Sequence, residues 1–505
     1  MFIETGNARD AEKMMRKKKL IVMLLIMWAF MFRILIGLHA LLEENRAHTA
    51  DSWGYEALGI NLFYKKEFVL APLEWEFKEP MPKNLKKLRR DYPLIYTKSY
   101  VYRTPLYPFF IGFIFKMSGY KPFVILLIQM ILSALTCYII FLCFRHDFRT
   151  AVILLIISSV DLKSAIQSAQ ILTETMFSFA LCLTSYCILN LCKEVNHKYV
   201  IIMGLSILME MYLRGEVGLY YFIAVLPSLI YLAILKRKIQ VIFGIIIPLL
   251  GITPWCIRNE RVYGCFDIST CDDFNAALYT WPRFKSYLEN VSRYDATLQI
   301  LEKYKHDTAV FERYKRIKKE KKLWKPILYE LVQEGELLKK MKKDAFTYYK
   351  NHFFKFIFYV VKHVIWTSMV PGFSDAQKVL KIEKEMKSFN LLFCSVKNNF
   401  LKLRFKEGVK ETSFLLKRLS LKAKLIFFFA LMYSVVLIVG FICGVIKCFR
   451  HSFCFFIFAV LSFLVTCVIA GVGGYRRHFA VINPLLIITF GFCILRLTNK
   501  DNGLK

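Results

Sequence analysis

Residues 20–42, LIVMLLIMWAFMFRILIGLHALL, decide the fold class. An α-helix needs roughly 20 apolar residues to cross the hydrocarbon of a bilayer, and this run supplies them with a single full charge, Arg33. Arg16-Lys17-Lys18-Lys19 precedes the run, which is too long for the core of a signal peptide and reads as a retained first span. Comparable runs recur near 122–144, 150–163, 172–192, 199–213, 217–236, 239–256, 424–446, 453–473 and 479–497. None shows the two-residue alternation of barrel strands, and a backbone crossing lipid must satisfy its own hydrogen bonds. The expectation is an all-α polytopic membrane protein with about 10–12 transmembrane or membrane-embedded helices.

Composition agrees. The 505 residues are 56% hydrophobic, with a mean hydropathy of +0.42. Lys and Arg number 71 against 38 Asp and Glu, a net +33. In a soluble chain that excess would suggest nucleic acid, but no base-reading or single-strand-binding motif accompanies it, so nucleic acid is excluded as a partner. In a membrane chain it serves orientation and attraction to anionic lipid phosphates. The basic stretches 16–19, 145–149, 193–198, 236–238 and 447–450 all fall on one side, the cytoplasmic one, if 105–118 does not cross. At about 14 residues with two prolines, 105–118 is read as re-entrant or interfacial.

This orientation divides the chain in three: an N-terminal transmembrane catalytic module, 1–256, with a first outer loop at 43–121; an extracytoplasmic or interfacial helical segment, 257–423; and C-terminal transmembrane helices, 424–505. The stretch 351–371 is expected to lie in the interface. Leu323, Ile327, Leu331 and Leu338 have helical spacing and suggest a helical cover on the outer face. Most of the 14 cysteines sit in apolar runs as small buried residues, while Cys265 and Cys271 share a polar loop where they could pair. No P-loop, dinucleotide fingerprint or paired-cysteine zinc pattern is present.

Two short polar motifs bracket the first outer loop: Asp51-Ser52-Trp53-Gly54-Tyr55 and Arg103-Thr104-Pro105-Leu106-Tyr107-Pro108. Residues 52–63 read as a short amphipathic helix for which Asp51 or Ser52 is an N-cap; the same carboxylate is placed to act as a general base, with Tyr55 one turn on. Pro105 and Pro108 stiffen the chain beside Arg103, whose plain role is snorkelling to headgroups. Glu174 and Asp161 stand at the outer ends of spans, where acidic groups are costly and signal function or a helix-start charge. Arg214 and Glu216 share an outer turn and could pair with each other. Arg258 closes one span and Arg477 opens the last. Arginines converging on one face suit a lipid-linked phosphate, because guanidinium binds phosphate oxygens bidentately. His48 with Glu174 is the one combination considered for a divalent metal ion; no cofactor is otherwise implied.

The ordered motifs resemble the C-type superfamily of membrane glycosyltransferases, in particular the bacterial branch related to aminoarabinose transferase and protein O-mannosyltransferases. The residues that carry the resemblance are Asp51-Ser52-x-x-Tyr55 with Ala57 and Asn61; Tyr102-Arg103-x-Pro105-x-Tyr107-Pro108; Leu172-Thr173-Glu174; Leu213-Arg214; Pro254-Trp255-x-x-Arg258-Asn259 with Gly264-x-Phe266; and Tyr475-Arg476-Arg477 before Asn483-Pro484. The resemblance implies inverting transfer of a sugar from a polyprenyl-phosphate donor to a lipid, protein or glycan acceptor on the extracytoplasmic face of a bacterial inner membrane. By it, Asp51 and Glu174 are the catalytic acidic residues, and Tyr55, Arg103, Tyr107, Arg214, Arg258 and Arg477 bind substrate, with Arg103, Arg258 and Arg477 meeting the carrier phosphate. Protein mannosyltransferases commonly have Asp-Glu where this chain has Asp51-Ser52, which leaves the acceptor open. Two other readings compete. A flippase or transporter of lipid-linked sugars would place charges along a path through the bundle. An oligosaccharide polymerase or ligase would take a diphosphate-linked donor.

Overall fold

A computed structural model describes residues 4–49, 51–69, 102–235, 239–264, 266–307, 335–369, 379–380, 421–473 and 481–499. The described residues are helical throughout, joined by turns. The numbered helices are α1 (Glu4–Leu42), α2 (Ser52–Tyr64), α3 (Leu106–Ser118), α4 (Pro122–Cys143), α5 (Phe148–Ser159), α6 (Leu162–Ser168), α7 (Glu174–Lys193), α8 (His197–Leu213), α9 (Gly215–Leu235) and α10 (Phe243–Tyr263). After a π-helical turn at Asn275–Thr280 come α11 (Trp281–Glu289), α12 (Arg293–Glu302), α13 (Gly335–Asn351), α14 (Phe353–Met369), α15 (Leu421–His451), α16 (Phe453–Gly473) and α17 (Asn483–Asn499).

Six of these helices contain stretches long and apolar enough to cross a membrane: Glu12–Leu42, Pro122–Cys143, Glu174–Lys193, Val217–Ile234, Ile239–Val262 and Leu431–Phe449. Leu106–Ser118, Phe453–Thr466 and Asn483–Leu495 are shorter apolar helices. The span expected at 150–163 is not continuous. It breaks between α5 and α6 with a 55° bend. Asp161 accepts from the Lys163 amide and so starts a second helix rather than ending the first.

Side-chain bonds between spans fix the direction of the helices. The Tyr221 hydroxyl on α9 bonds Thr466 on α16, and Ser228, two turns further along α9, donates to the Cys454 carbonyl at the start of α16. These helices are therefore antiparallel. α9 starts at Arg214–Gly215, so α16 ends at that same end of the bundle. Tyr433 of α15 donates to Ile157 O, just before the break in α5. Ser178 of α7 donates to Val481 O and Asn483 donates to Asp161, so the C-terminal helices are knitted into the N-terminal ones.

The helix at 52–64 departs from the amphipathic surface helix read from sequence. Ser52, Tyr55, Glu56, Ala57, Leu58, Gly59, Ile60 and Asn61 are all buried. Glycine explains how α2 wedges into the protein. A Cβ added at Gly59 would stand 2.3 Å from the Pro108 carbonyl oxygen, and one at Gly112 would stand 2.2 Å from the Gly59 carbonyl oxygen. The two backbones touch, which only residues without a Cβ permit.

Candidate active site

The start of α2 is built around Ser52 rather than Asp51. Ser52 Oγ donates to Ile171 O at 2.8 Å, and Ile171 N donates to Ala47 O at 3.1 Å, so the chain before α2 is pinned to the segment that leads into α7. The Asp51 side chain makes no capping bond. Its carboxylate instead accepts from Arg103 Nη2 at 2.9 Å. The helix-cap interpretation of Asp51 is thus not the one realised: a carboxylate that pairs across 52 residues is held by tertiary structure. Asp51 remains 31% exposed while Arg103 is 13% exposed, so the acid is the more accessible member of the pair.

Arg103 also lies over the Tyr55 ring at 4.0 Å, a cation–π contact, while Tyr107 meets Tyr55 edge-on at 5.0 Å. Tyr107 is fixed in turn: its hydroxyl donates to Gln129 Oε1 at 2.6 Å, and Gln129 Nε2 donates to Gln170 O at 2.7 Å. On the other side, Glu174 in the first turn of α7 pairs with Arg214 at 3.2 Å; they are 4% and 17% exposed. Arg214 sits at the junction of α8 and α9, its backbone nitrogen donating to Glu210 O at 3.0 Å. Arg214 thus has an acidic partner 40 residues before it in the chain, Glu174; the side chain of Glu216, the partner expected from sequence, lies outside the described ones.

Tyr55 is the centre of this arrangement. Burial raises its phenol pKa above the usual value; Arg103 and Arg214 oppose the rise, and Asp51 and Glu174 add to it. The segment after α10 closes the arrangement. A Cβ at Gly215 would meet Ser269 Oγ at 3.0 Å and Thr104 Cγ2 at 3.2 Å, and Tyr102 packs edge-on against Phe274 at 5.5 Å.

Arg258 is placed differently. It lies over Trp255 at 4.8 Å and Phe68 at 5.7 Å and donates to Asn259 Oδ1 at 2.9 Å. Asn259 donates to Asp267 O and Ile268 O, so this motif secures the turn that carries Ser269. Arg477 and Cys265 lie outside the described residues, as do most of the residues of the expected helical cover. His48 and Glu174 each have an ion partner in the structure, Glu56 and Arg214 respectively. His48 Nε2 pairs with Glu56 Oε1 at 2.8 Å, both side chains fully buried, and the His48 ring stacks on Trp53 at 3.9 Å. Among the described residues no three His, Cys, Asp or Glu side chains are grouped to hold a metal ion.

Glu56 and Gln129 escaped the sequence reading. Each is a polar residue inside an apolar helix, and the cost of burying such groups is the signal that would have found them.

No curated protein matches the chain. Residues 102–257, from Tyr102 beside Arg103 to the residue before Arg258, match the family model of the dolichyl-phosphate-mannose-protein mannosyltransferases. The matched stretch, 156 of the 505 residues, contains the Tyr102-Arg103, Leu172-Thr173-Glu174, Leu213-Arg214 and Pro254-Trp255 motifs, and over that stretch it supports the resemblance of this helical membrane protein to the C-type membrane glycosyltransferases.

Proposed function

We propose that the protein transfers a sugar from a polyprenyl-phosphate carrier to an acceptor on the extracytoplasmic side of the membrane, with inversion at the anomeric carbon. The observation that carries this reading is the Asp51–Arg103 pair, a half-exposed base and a shielded guanidinium 2.9 Å apart at the end of the bundle where Glu174 and Arg214 also meet. The name of the matched family, which specifies a dolichyl-phosphate mannose donor, supports a lipid monophosphate carrier here.

The chemistry asks little covalent work of the protein. Asp51 takes the proton of the acceptor hydroxyl or amine as that group attacks the anomeric carbon. The bond between that carbon and the phosphate oxygen breaks on the opposite face, and the polyprenyl phosphate leaves with the bonding electrons. Arg103 and Arg214 offset the negative charge that develops on the leaving group, with Arg258 and Arg477 as further candidates at the carrier. Glu174 holds Arg214 toward Tyr55. Tyr55 supplies an aromatic face and a hydroxyl for the sugar, and Tyr107 backs it edge-on from within the protein. Membrane lipids surround the whole.

Arg33, the charge within the first span, bears on the flippase reading. It is bound to Ser133, Cys137 and three backbone carbonyls, which makes it a fixed part of the bundle rather than a charge on a lipid path. The test is to extract the lipid that co-purifies with the protein, identify it by mass spectrometry, and measure transfer from monophosphate and diphosphate lipid-linked sugars. Transfer from the monophosphate alone is expected. Transfer only from a diphosphate-linked oligosaccharide would favour the polymerase reading, and lipid movement without transfer the flippase.

A further inference from the structure

A carboxylate that takes a proton loses the charge that pairs it with Arg103, and the Asp51 side chain does not cap α2 either, so the place of Asp51 has to come from the backbone on both sides of it. Downstream, Ser52 is pinned to Ile171. Upstream, His48 folds back over the turn. Its ring stacks on Trp53 at 3.9 Å with 6° between the planes, and its Nε2 meets Glu56 Oε1 at 2.8 Å. Between these contacts the turn bonds itself: Thr49 N donates to Ser52 Oγ at 2.9 Å, and Asp51 N donates to Thr49 Oγ1 at 3.2 Å.

The His48–Glu56 bond closes a loop over 48–56, with Asp51 inside it. Glu56 ties that loop to a third piece of chain, because the Tyr120 hydroxyl, between α3 and α4, donates to Glu56 Oε2 at 3.3 Å. His48 is 2% and Glu56 0% exposed. A buried ionic pair is a poor route to stability, since apolar side chains of similar volume often do as well or better. What apolar contacts do not supply is direction. An imidazole nitrogen facing one carboxylate oxygen admits a single registry of the turn against the helix, which a satisfied polar network specifies and a greasy contact does not.

We propose that His48 and Glu56 are positioning residues for the acceptor base: the pair sets where the Asp51 carboxylate stands and itself touches neither donor nor acceptor. The inference rests on the role of Asp51 proposed above. Arg103 and Arg214 stand on other segments, the one ahead of α3 and the other between α8 and α9. Loss of the pair therefore misplaces the base and leaves the donor site as it is.

Two measurements on the full-length purified protein test this. The first is hydrogen exchange of the amides in 48–55, read by mass spectrometry, which involves no transfer. Glu56→Ala is expected to speed exchange there by about tenfold or more, and Glu56→Gln, whose amide oxygen still accepts from His48, to stay within about threefold of the parent. The second is steady-state transfer at varied lipid-linked sugar. Glu56→Ala is expected to lower kcat by about tenfold or more with the donor KM within about twofold, and Glu56→Gln to restore most of kcat. A loss no larger than the drop in folded protein, or a raised KM at constant kcat, would overturn the positioning role. If Glu56→Ala does not accumulate, His48→Phe, which keeps a ring on Trp53 and deletes the bond, takes its place with the same expectations. Transfer by the parent with unchanged exchange in the variant would remove this proposal alone; no transfer by the parent would remove the reaction and the base with it.

Discussion

Asp51→Asn separates catalysis from architecture at this site. The side chain keeps its size and one oxygen to accept from Arg103, and it loses only the basic carboxylate. The structural loss is bounded by the geometry. At 2.9 Å, with side chains 31% and 13% exposed, the Asp51–Arg103 pair is partly solvated, and such pairs are worth about 0.2–1 kcal/mol. A purely structural role therefore predicts an effect of at most roughly fivefold. A general base contributes about 10²–10⁴-fold, equivalent to about 2.7 kcal/mol of barrier or more at 1.36 kcal/mol per tenfold. The two explanations differ by more than a factor of ten. Because the Asp51 side chain does not cap α2, Asp51→Ala should resemble Asp51→Asn in activity and not be singled out by a folding defect. The assay is the initial transfer rate at saturating lipid-linked sugar, with donor binding measured on the same preparation. An Asn variant that turns over within about fivefold of the parent would refute the base assignment.

Gly59→Ala should cost roughly 1–3 kcal/mol or more, because the new methyl meets rigid backbone at Pro108 rather than a side chain that can swing away; a melting temperature indistinguishable from the parent would show that α2 and α3 do not touch. Glu174→Gln and Arg214→Gln should couple by about 0.5–3 kcal/mol in a stability cycle, given a mostly buried 3.2 Å pair; independent effects would dissolve that side of the site. Tyr107→Phe removes the 2.6 Å bond that satisfies Gln129 Oε1 and should cost about 1–3 kcal/mol, read as a lower unfolding midpoint. Cysteines introduced at Asp295 and Lys410, in a background without other accessible thiols, should both react with a membrane-impermeant reagent applied from outside; labelling only at Asp295 would make 351–371 a true crossing.

The helical class was legible because lipid leaves few alternatives, and long apolar runs such as 20–42 and 122–144 can only be helices. Charged motifs at the ends of those runs were equally visible, and the structure pairs Asp51 with Arg103, which lies over Tyr55, and Glu174 with Arg214. What one sequence hides is pairing. Nothing local tells Asp51 to choose Arg103 over the amides of its own helix, or Glu174 to meet Arg214, 40 residues further on. The break at Asp161 was hidden for a related reason: its hydropathy is that of a continuous span, and the groups that bond it, Arg33 at Ser159 O and Asn483 at Asp161, lie 126 and 322 residues away. Glu56 and His48 satisfy each other inside the protein, so neither resembles a metal ligand or a surface charge once paired.

The backbone contact between Gly59 and Gly112 makes two residues without side chains the keepers of an aromatic contact. It clamps α2 to α3, which carry Tyr55 and Tyr107 respectively. A side chain at either glycine would have to part the two helices, so the 5.0 Å edge-on meeting of Tyr55 with Tyr107 lasts only while both positions stay glycine.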